Sequence, residues 1–494
     1  MSARHQLGTL EASGLVQVAA LEPELEYLFR HALVQDAAYS SLLKQDRRTL
    51  HRLAAEALLA LYPDRRRELA GVIALHLERA GDAAAAAEHL VDAGDHALER
   101  FANREAIAFF ERAEASLGPD DPRVDLRLRA AIGLAKVGWT FLGPDQGIER
   151  LERAIALGED RADRKLVGDV YFWIAFLRRM RAERPDTSPQ LKHAAERSAE
   201  LGTALGDGVA EAIPKAFAGI GMMFTGELRE GARLLEESLG PVVAHADPLS
   251  SAVLSDLLSI GYARLGEFAN AERVLAHADE LARSGDPIAA LDAQIARSAL
   301  LIERGEIGAG EALASTCAAR SEELGAVACA VPANVILGTA HLARDDTLGA
   351  KAPLERGDEL ARASNQASFR TLAEGMLGFV RSRLGDVAAG TADWDVALER
   401  ARTMRDRYGE AITLWQRARA RRQATPPDRA AALTDLETAT TLFEAMEARP
   451  ALARSLRDRG SLLRAMNRAA EATEVDARAY RLAADLGLKD FPGR

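Results

Sequence analysis

Leu258-Ser-Ile-Gly-Tyr262-Ala-Arg-Leu-Gly266-Glu-Phe-Ala-Asn-Ala271-Glu-Arg-Val-Leu275-Ala-His-Ala278 reads as two amphipathic helices meeting at a glycine. Leu258 and Tyr262 lie four apart and share one face of the first helix; Ala271, Leu275 and Ala278 share one face of the second. Gly266 ends the first helix in a left-handed conformation that other residues resist. Ala271 offers only a methyl group, so the two backbones approach closely, and a large residue there should overpack the contact by roughly 1 to 3 kcal/mol.

Outward from this stretch the same turn signal recurs at Gly226, Gly266, Gly305, Asp345 and Gly385, in steps of 39 or 40 residues. A second series of helix ends keeps pace at Gly285, Gly325, Asn365, Arg405, Glu447 and Gly487, 40 to 42 apart. Two phases locked together define a repeating helical hairpin rather than a chance spacing. Toward the front, turn positions near 101, 143, 185 and 226 hold the step, with Arg184 to Pro189 read as a long interhelical loop.

The order of a large apolar residue, a small one, an aromatic, a turn glycine, an alanine, another large residue and an alanine resembles the tetratricopeptide family. Leu377, Gly378, Gly385, Trp394 and Ala397 follow it, as do Leu337, Gly338, Ala350 and Leu354, and Ile73, Ala74, Leu77, Gly81, Ala86, Leu90 and Ala93. The family period is ~34 residues; about six more per unit lengthen the two helices by roughly 9 Å in total. The resemblance implies an all-α, right-handed α-solenoid of tetratricopeptide-like hairpins with a period of about 40 residues, its concave inner wall built by the first helix of each pair.

Composition agrees. A chain of 494 residues exceeds what one hydrophobic core supports, whereas an array adds core unit by unit. With 48% hydrophobic but only 5% aromatic residues, alanine-dense helix packing is favoured over a sheet. A net charge of −11 argues against nucleic acid as a partner. Two basic runs, Arg178, Arg179, Arg181, Arg184 and Arg417, Arg419, Arg421, Arg422, read as solvated helix faces. No apolar run reaches the ~18 residues of a membrane span and no hydrophobic leader opens the chain, so a cytoplasmic location without membrane attachment is expected. Cys317 and Cys329 lack metal-site or disulfide spacing and read as buried thiols.

The first sixty residues differ. Leu7 to Ser13 reads as a helical fragment, Leu15 to Ala20 and Leu25 to Phe29 as strands around Glu22 and Pro23, and Val34 to Leu43 and Arg47 to Leu61 as helices stopped by Tyr62 and Pro63. Helix, hairpin, helix is the tail of a winged helix, giving a division into a partial winged-helix segment, 1–62, and a repeat array, 63–494.

The run from Tyr27 through His31, Tyr39 and Leu43, followed by Arg47, Arg48, Leu50 and His51, resembles a segment of large bacterial signalling ATPases, including class III nucleotide cyclase fusions and related regulators. There it lies between an ATPase module and a C-terminal tetratricopeptide array. The resemblance implies a separately encoded or truncated C-terminal arm of such a regulator, binding a protein, peptide or small ligand in its groove, with an ATPase or cyclase module as a partner. An independent protein-interaction scaffold is the alternative, and an enzyme working in the groove a third.

No GxxxxGK[ST] loop, HExxH, GxSxG or EF-hand loop occurs, so catalytic, metal and cofactor residues are expected to be none. Ser41-Leu-Leu-Lys44 matches SxxK without its companion motifs. His31 and His51 have no nucleophile at diagnostic spacing and read as structural. Candidate groove-lining residues are the polar positions Arg264, Arg297, His341 and Arg381.

Overall fold

The computed structural model describes residues 3–20, 26–118, 121–181, 183–184, 187–206, 208–245, 248–283, 285–366 and 369–491. The chain forms two compact units, Met1–Ala97 with Ala108–Asp121, and Leu98–Ile107 with Pro122–Arg494.

The chain opens with α1 (Ala3–Ala12), β1 (Val16–Ala20), β2 (Glu26–Phe29), α2 (Ala32–Ser41) and α3 (Lys44–Leu61), followed by α4 (Ala70–Ala80), α5 (Ala83–Glu99) and α6 (Asn103–Ser116). The strands pair antiparallel with Val16 opposite Phe29; the turn assigned to Glu22 and Pro23 lies outside the described residues. Gly81 ends α4 at φ +86°, the left-handed stop its sequence position predicts. His51 Nε2 shares a hydrogen bond with the Tyr39 hydroxyl at 3.0 Å, and its Nδ1 meets His76 Nδ1 at 2.9 Å.

The second unit is a run of hairpins: α7 (Val124–Phe141), α8 (Pro144–Ala156), α9 (Arg164–Met180), α10 (Pro189–Leu205), α11 (Gly208–Thr225), α12 (Leu228–His245), α13 (Pro248–Leu265), α14 (Phe268–Ala282), α15 (Pro287–Arg304) and α16 (Ile307–Leu324). It continues through α17 (Val327–Ala343), α18 (Thr347–Ala363), α19 (Arg370–Arg383), α20 (Val387–Met404), α21 (Arg407–Gln423), α22 (Arg429–Ala445), α23 (Arg449–Ala465) and α24 (Ala469–Leu486). Both corner series fall where the sequence places them. Every member from Gly226 to Gly385 and from Gly285 to Gly487 has positive φ, including the non-glycine corners Asp345, Asn365, Arg405 and Glu447 at 51° to 57°. Phe101 and Gly143 behave alike; position 185 lies outside the described residues.

Small residues set the distance between paired helices. A Cβ on Gly338 would collide with Leu354, and one on Gly378 with the Trp394 indole, the same contact one repeat later. Leu258, Ala271, Leu275 and Ala278 are fully buried. Cys317 and Cys329 are free and buried, and burial pushes the Cys317 thiol up to about 11, which suppresses the reactive thiolate.

The superhelix is tight enough for successive turns to touch. In the second unit α7 meets α17, α11 meets α21 and α13 meets α23, so one turn takes ten helices, or five hairpins. The seam joins the two corner series. Asn365 Nδ2 donates to Asp145 Oδ2 at 3.0 Å beside Gly143, Arg229 binds Glu447 at 2.7 Å beside Gly226, and Leu486 packs on Gly266. At the end of the chain the Lys489 amide donates to the Arg304 carbonyl at 3.0 Å. What the repeat pattern predicts as an open concave wall is therefore closed into a lumen.

A charged lumen inside the hairpin array

The first helices of the hairpins carry two stripes each. One packs on the second helix of its pair; the other faces inward and lines a cavity of about 380 Å³. On α19 the inner stripe is Phe369, Leu372, Met376, Phe379 and Arg383, and on α21 it is Tyr408, Ile412, Trp415, Arg419 and Arg422. Steps of three and four keep each set on one helical face. Both stripes begin apolar or aromatic and end in arginine, at helix C-terminal turns where the macrodipole favours cations.

Six arginines, 264, 383, 419, 422, 454 and 457, line the cavity with four carboxylates, Glu303, Asp345, Asp458 and Asp490. The pairing is uneven. Arg454 is held by Asp490 at 2.7 Å and Glu303 at 3.2 Å and also donates to the Ile302 and Glu303 carbonyls, tying α23 to the end of α15 across the seam. Burial works against the Arg454 charge, but Asp490 and Glu303 outweigh it and hold the guanidinium above its ordinary range. Tyr408 donates to Glu303 at 3.0 Å, and burial first, then Glu303, push its hydroxyl well up, so it stays a neutral donor.

Arg419 bonds Asp345 at 2.9 Å and lies over the Phe379 ring at 4.8 Å; its side chain is 12% exposed while that of Asp345 is 84% exposed. Arg422 reaches Asp458 only at 3.9 Å, because the other Asp458 oxygen accepts from Trp415 Nε1 at 2.8 Å. Arg264 stacks on the Tyr408 ring at 4.0 Å. Among the described residues no carboxylate forms an ion pair with Arg264 or Arg383. The lumen thus has a cationic excess inside a chain of net charge −11.

Of the candidate groove residues, Arg264 lies in the cavity wall. Arg297 binds Asp279 at 2.6 Å and Glu272 at 3.4 Å, both on α14; His341 meets Asp346 at 2.9 Å; Arg381 grips Asp393 on α20 at 2.8 Å. His341 and Arg381 face their own hairpins and Arg297 the second helix of the preceding one, and none of the three lines the lumen. His341 and Arg381 occupy one repeat position, two residues before the equivalent of Arg264. Two residues swing a side chain by about 200° around a helix, enough to move it from pair partner to lumen.

The two basic runs are not solvated faces, which corrects the sequence expectation. Arg417 and Arg421 clamp the buried Asp435 of α22 at 2.7 and 2.6 Å, while Arg419 and Arg422, on the other side of α21, enter the lumen. Arg178 binds Glu152 and Glu183, and Arg179 is buried against Phe224 with its guanidinium on the Glu183 carbonyl. Burial, then Arg184, depress the Arg179 guanidinium to about 10. The lumen residues missed from the sequence carried a signal, the second three-and-four stripe on α19 and α21, hidden because both stripes are apolar over most of their length.

Among the described residues no group of three or more histidine, cysteine or acidic side chains is placed to hold a metal ion, and no helix is long and apolar enough to cross a membrane.

No protein-family model matches the chain. An uncharacterized protein of Rhizobium meliloti (strain 1021) is 28% identical over 163 residues, 31% of this chain and 15% of that protein, so the chain spans about a seventh of the curated relative it matches. Among solved structures, a Rap protein complexed with competence and sporulation factor aligns with a TM-score of 0.55 at 12% identity, over 74% of this chain and 98% of that one. The apo quorum sensor NprR from B. thuringiensis gives 0.44 at 12% identity, over 74% and 99%. A signal transduction ATPase with a tetratricopeptide repeat sensor from Pyrococcus horikoshii gives 0.39 at 11%, over 77% and 56%. The fold is that of the tetratricopeptide-like helical solenoids.

Proposed function

We propose that the chain is a non-catalytic repeat scaffold that takes a peptide or small ligand into its lumen and passes the binding event to a protein partner. The observation that carries this reading is the inner stripe of α19 and α21, which puts aromatic side chains and under-paired arginines on a wall that hairpin packing does not require. The Rap structure of the same fold was obtained with competence and sporulation factor bound. Thr339→Trp, which projects an indole into the cavity from α17, tests it. In native mass spectrometry of the full chain recovered from a bacterial cytosol, the unaltered protein is expected to carry a bound species that the Trp variant lacks. Equal occupancy in the two, or none in either, would overturn the reading.

The partner we favour is an ATPase or nucleotide cyclase module of a larger cytoplasmic regulator, for which this chain supplies the sensor arm and residues 1–62 a winged-helix-like segment. Two observations support it. The curated relative is more than twice the length of this chain, and the helices α2 and α3 bury almost nothing: α2 has no buried side chain, α3 only Ala55, and Leu33, Leu43 and Leu61 are 82%, 72% and 70% exposed. Exposed apolar side chains clustered in one segment mark a surface meant for another protein. Leu33→Lys with Leu43→Lys should leave the melting temperature of the chain within about 1 °C, since neither side chain is buried, yet abolish co-purification of an ATPase- or cyclase-bearing polypeptide. Retention of that polypeptide by the double variant would exclude this face.

A further inference from the structure

The geometry points to an anionic amphiphile as the ligand class: an apolar body lying along Phe369–Phe379 and Tyr408–Trp415, with a carboxylate held by Arg383, Arg419 and Arg422. This rests on the lumen being the binding site and deepens that reading.

The lumen has a direction. On α19 the wall runs from Phe369 through Leu372, Met376 and Phe379 to Arg383, and on α21 from Tyr408 through Ile412 and Trp415 to Arg419 and Arg422. These adjacent first helices pack against each other, so their apolar beginnings form one slot and their basic ends one rim. The rim is under-neutralised in a graded way. Arg383 has no ion pair among the described residues, and Arg422 reaches Asp458 only at 3.9 Å. Arg419 is sequestered, yet its carboxylate partner Asp345 sits at an exposed corner. A buried guanidinium whose counter-ion is solvated gains from a carboxylate that arrives with its own apolar shielding, because a charge-assisted bond strengthens as water leaves. Phe379 under the Arg419 guanidinium fixes that side chain in place.

A neutral apolar ligand would fill the slot but leave the rim hydrated. A cationic ligand would meet a surplus of like charge. An extended nucleic acid is too large for a cavity of about 380 Å³. A carboxylate on an apolar body satisfies both ends at once. The same chemistry is offered by a fatty acid and by the C-terminus of a short hydrophobic peptide, and the two are separated by the probes.

Binding to the full chain is measured by isothermal titration with four probes: dodecanoate, dodecan-1-ol, the tetrapeptide acetyl-Leu-Ile-Phe-Leu with a free C-terminal carboxylate, and the same peptide amidated. The carboxylate member of at least one pair should bind about tenfold or more tighter than its neutral counterpart, the ratio expected of one charge-assisted contact. Arg383→Gln with Arg422→Gln should erase that ratio while leaving the neutral probe's affinity and the melting temperature unchanged, since neither arginine holds a close ion pair. A preference within the dodecyl pair alone assigns an acyl chain, and within the peptide pair alone a peptide C-terminus. If charged and neutral probes bind alike, or if the ratio survives in the double variant, the anionic assignment is overturned and the lumen reading stands. If no probe binds the unaltered protein, the assignment falls and the lumen reading falls with it.

Discussion

Arg454→Ala should cost about 3 to 5 kcal/mol, the range for removing one partner of an enclosed ion pair. The side chain crosses from α23 to the turn below, where it neutralises Glu303 and Asp490 and caps the Ile302 and Glu303 carbonyls. Truncation leaves two carboxylates facing each other across the gap and two carbonyls without a donor. Tyr408 cannot compensate, because its single hydroxyl proton is already given to Glu303. The loss should be local, since an array unfolds by neighbouring units rather than all at once. Hydrogen exchange should therefore accelerate in α15, α23 and residues 488–491 before it changes in α9 or α10. A urea midpoint within error of the unaltered protein, with exchange in α15 and α23 unchanged, would show that the seam contributes nothing to stability.

Asp256→Leu is expected to stabilise the protein at neutral pH, opposite to the usual sign for a core substitution. Asp256 lies buried on α13 with neither carboxyl oxygen hydrogen-bonded. Burial, then Asp292 and Asp279, push its carboxyl well above the ordinary range. Asp292 is itself raised, to about 6, by burial first, while the Cys329 thiol donating at 3.3 Å favours its charge. That thiol makes Asp292 the member of the pair that ionises and Asp256 the one that keeps its proton.

The sign of the pH dependence follows. In the unfolded chain both carboxyls ionise near pH ~4, so above that the folded state binds more protons and stability falls as pH rises. The fall runs from about 4 through the value of about 6 for Asp292 and onward until Asp256 ionises. Replacing Asp256 with leucine, an apolar residue with the same branching at Cγ, removes a buried unsatisfied acid, a change worth about 1 to 3 kcal/mol. The gain in melting temperature at pH 8 should shrink at pH 5, because the cost of keeping the folded Asp256 protonated falls as the pH approaches the unfolded-state value near ~4. A variant less stable than the native chain at pH 8 would refute the assignment.

How far the sequence carries can be judged residue by residue. Asp345, Asn365, Arg405 and Glu447 were legible as corners without a glycine because their spacing matched Gly305 and Gly325, and all have left-handed backbones. The close approaches at Gly338 and Gly378 were legible for the same reason. Arg297, His341 and Arg381 show where legibility ended: spacing places them on first helices, but a shift of two residues separates the face that meets Asp279 or Asp393 from the face that meets the lumen. In the run 417–422 two arginines serve Asp435 and two the cavity, and nothing in a charge count distinguishes them.

By itself the sequence determined the hairpin, its period and the conformation at each corner, since these depend on residues within about one repeat of each other and on local backbone sterics. Only the tertiary structure decided how many hairpins complete a turn. That number is the accumulated result of small rotations at successive interfaces, each set by packed side-chain volume. Five hairpins per turn bring Asn365 to Asp145, Glu447 to Arg229 and Tyr408 to Arg264, partners up to 220 residues apart, and so turn a wall into a lumen.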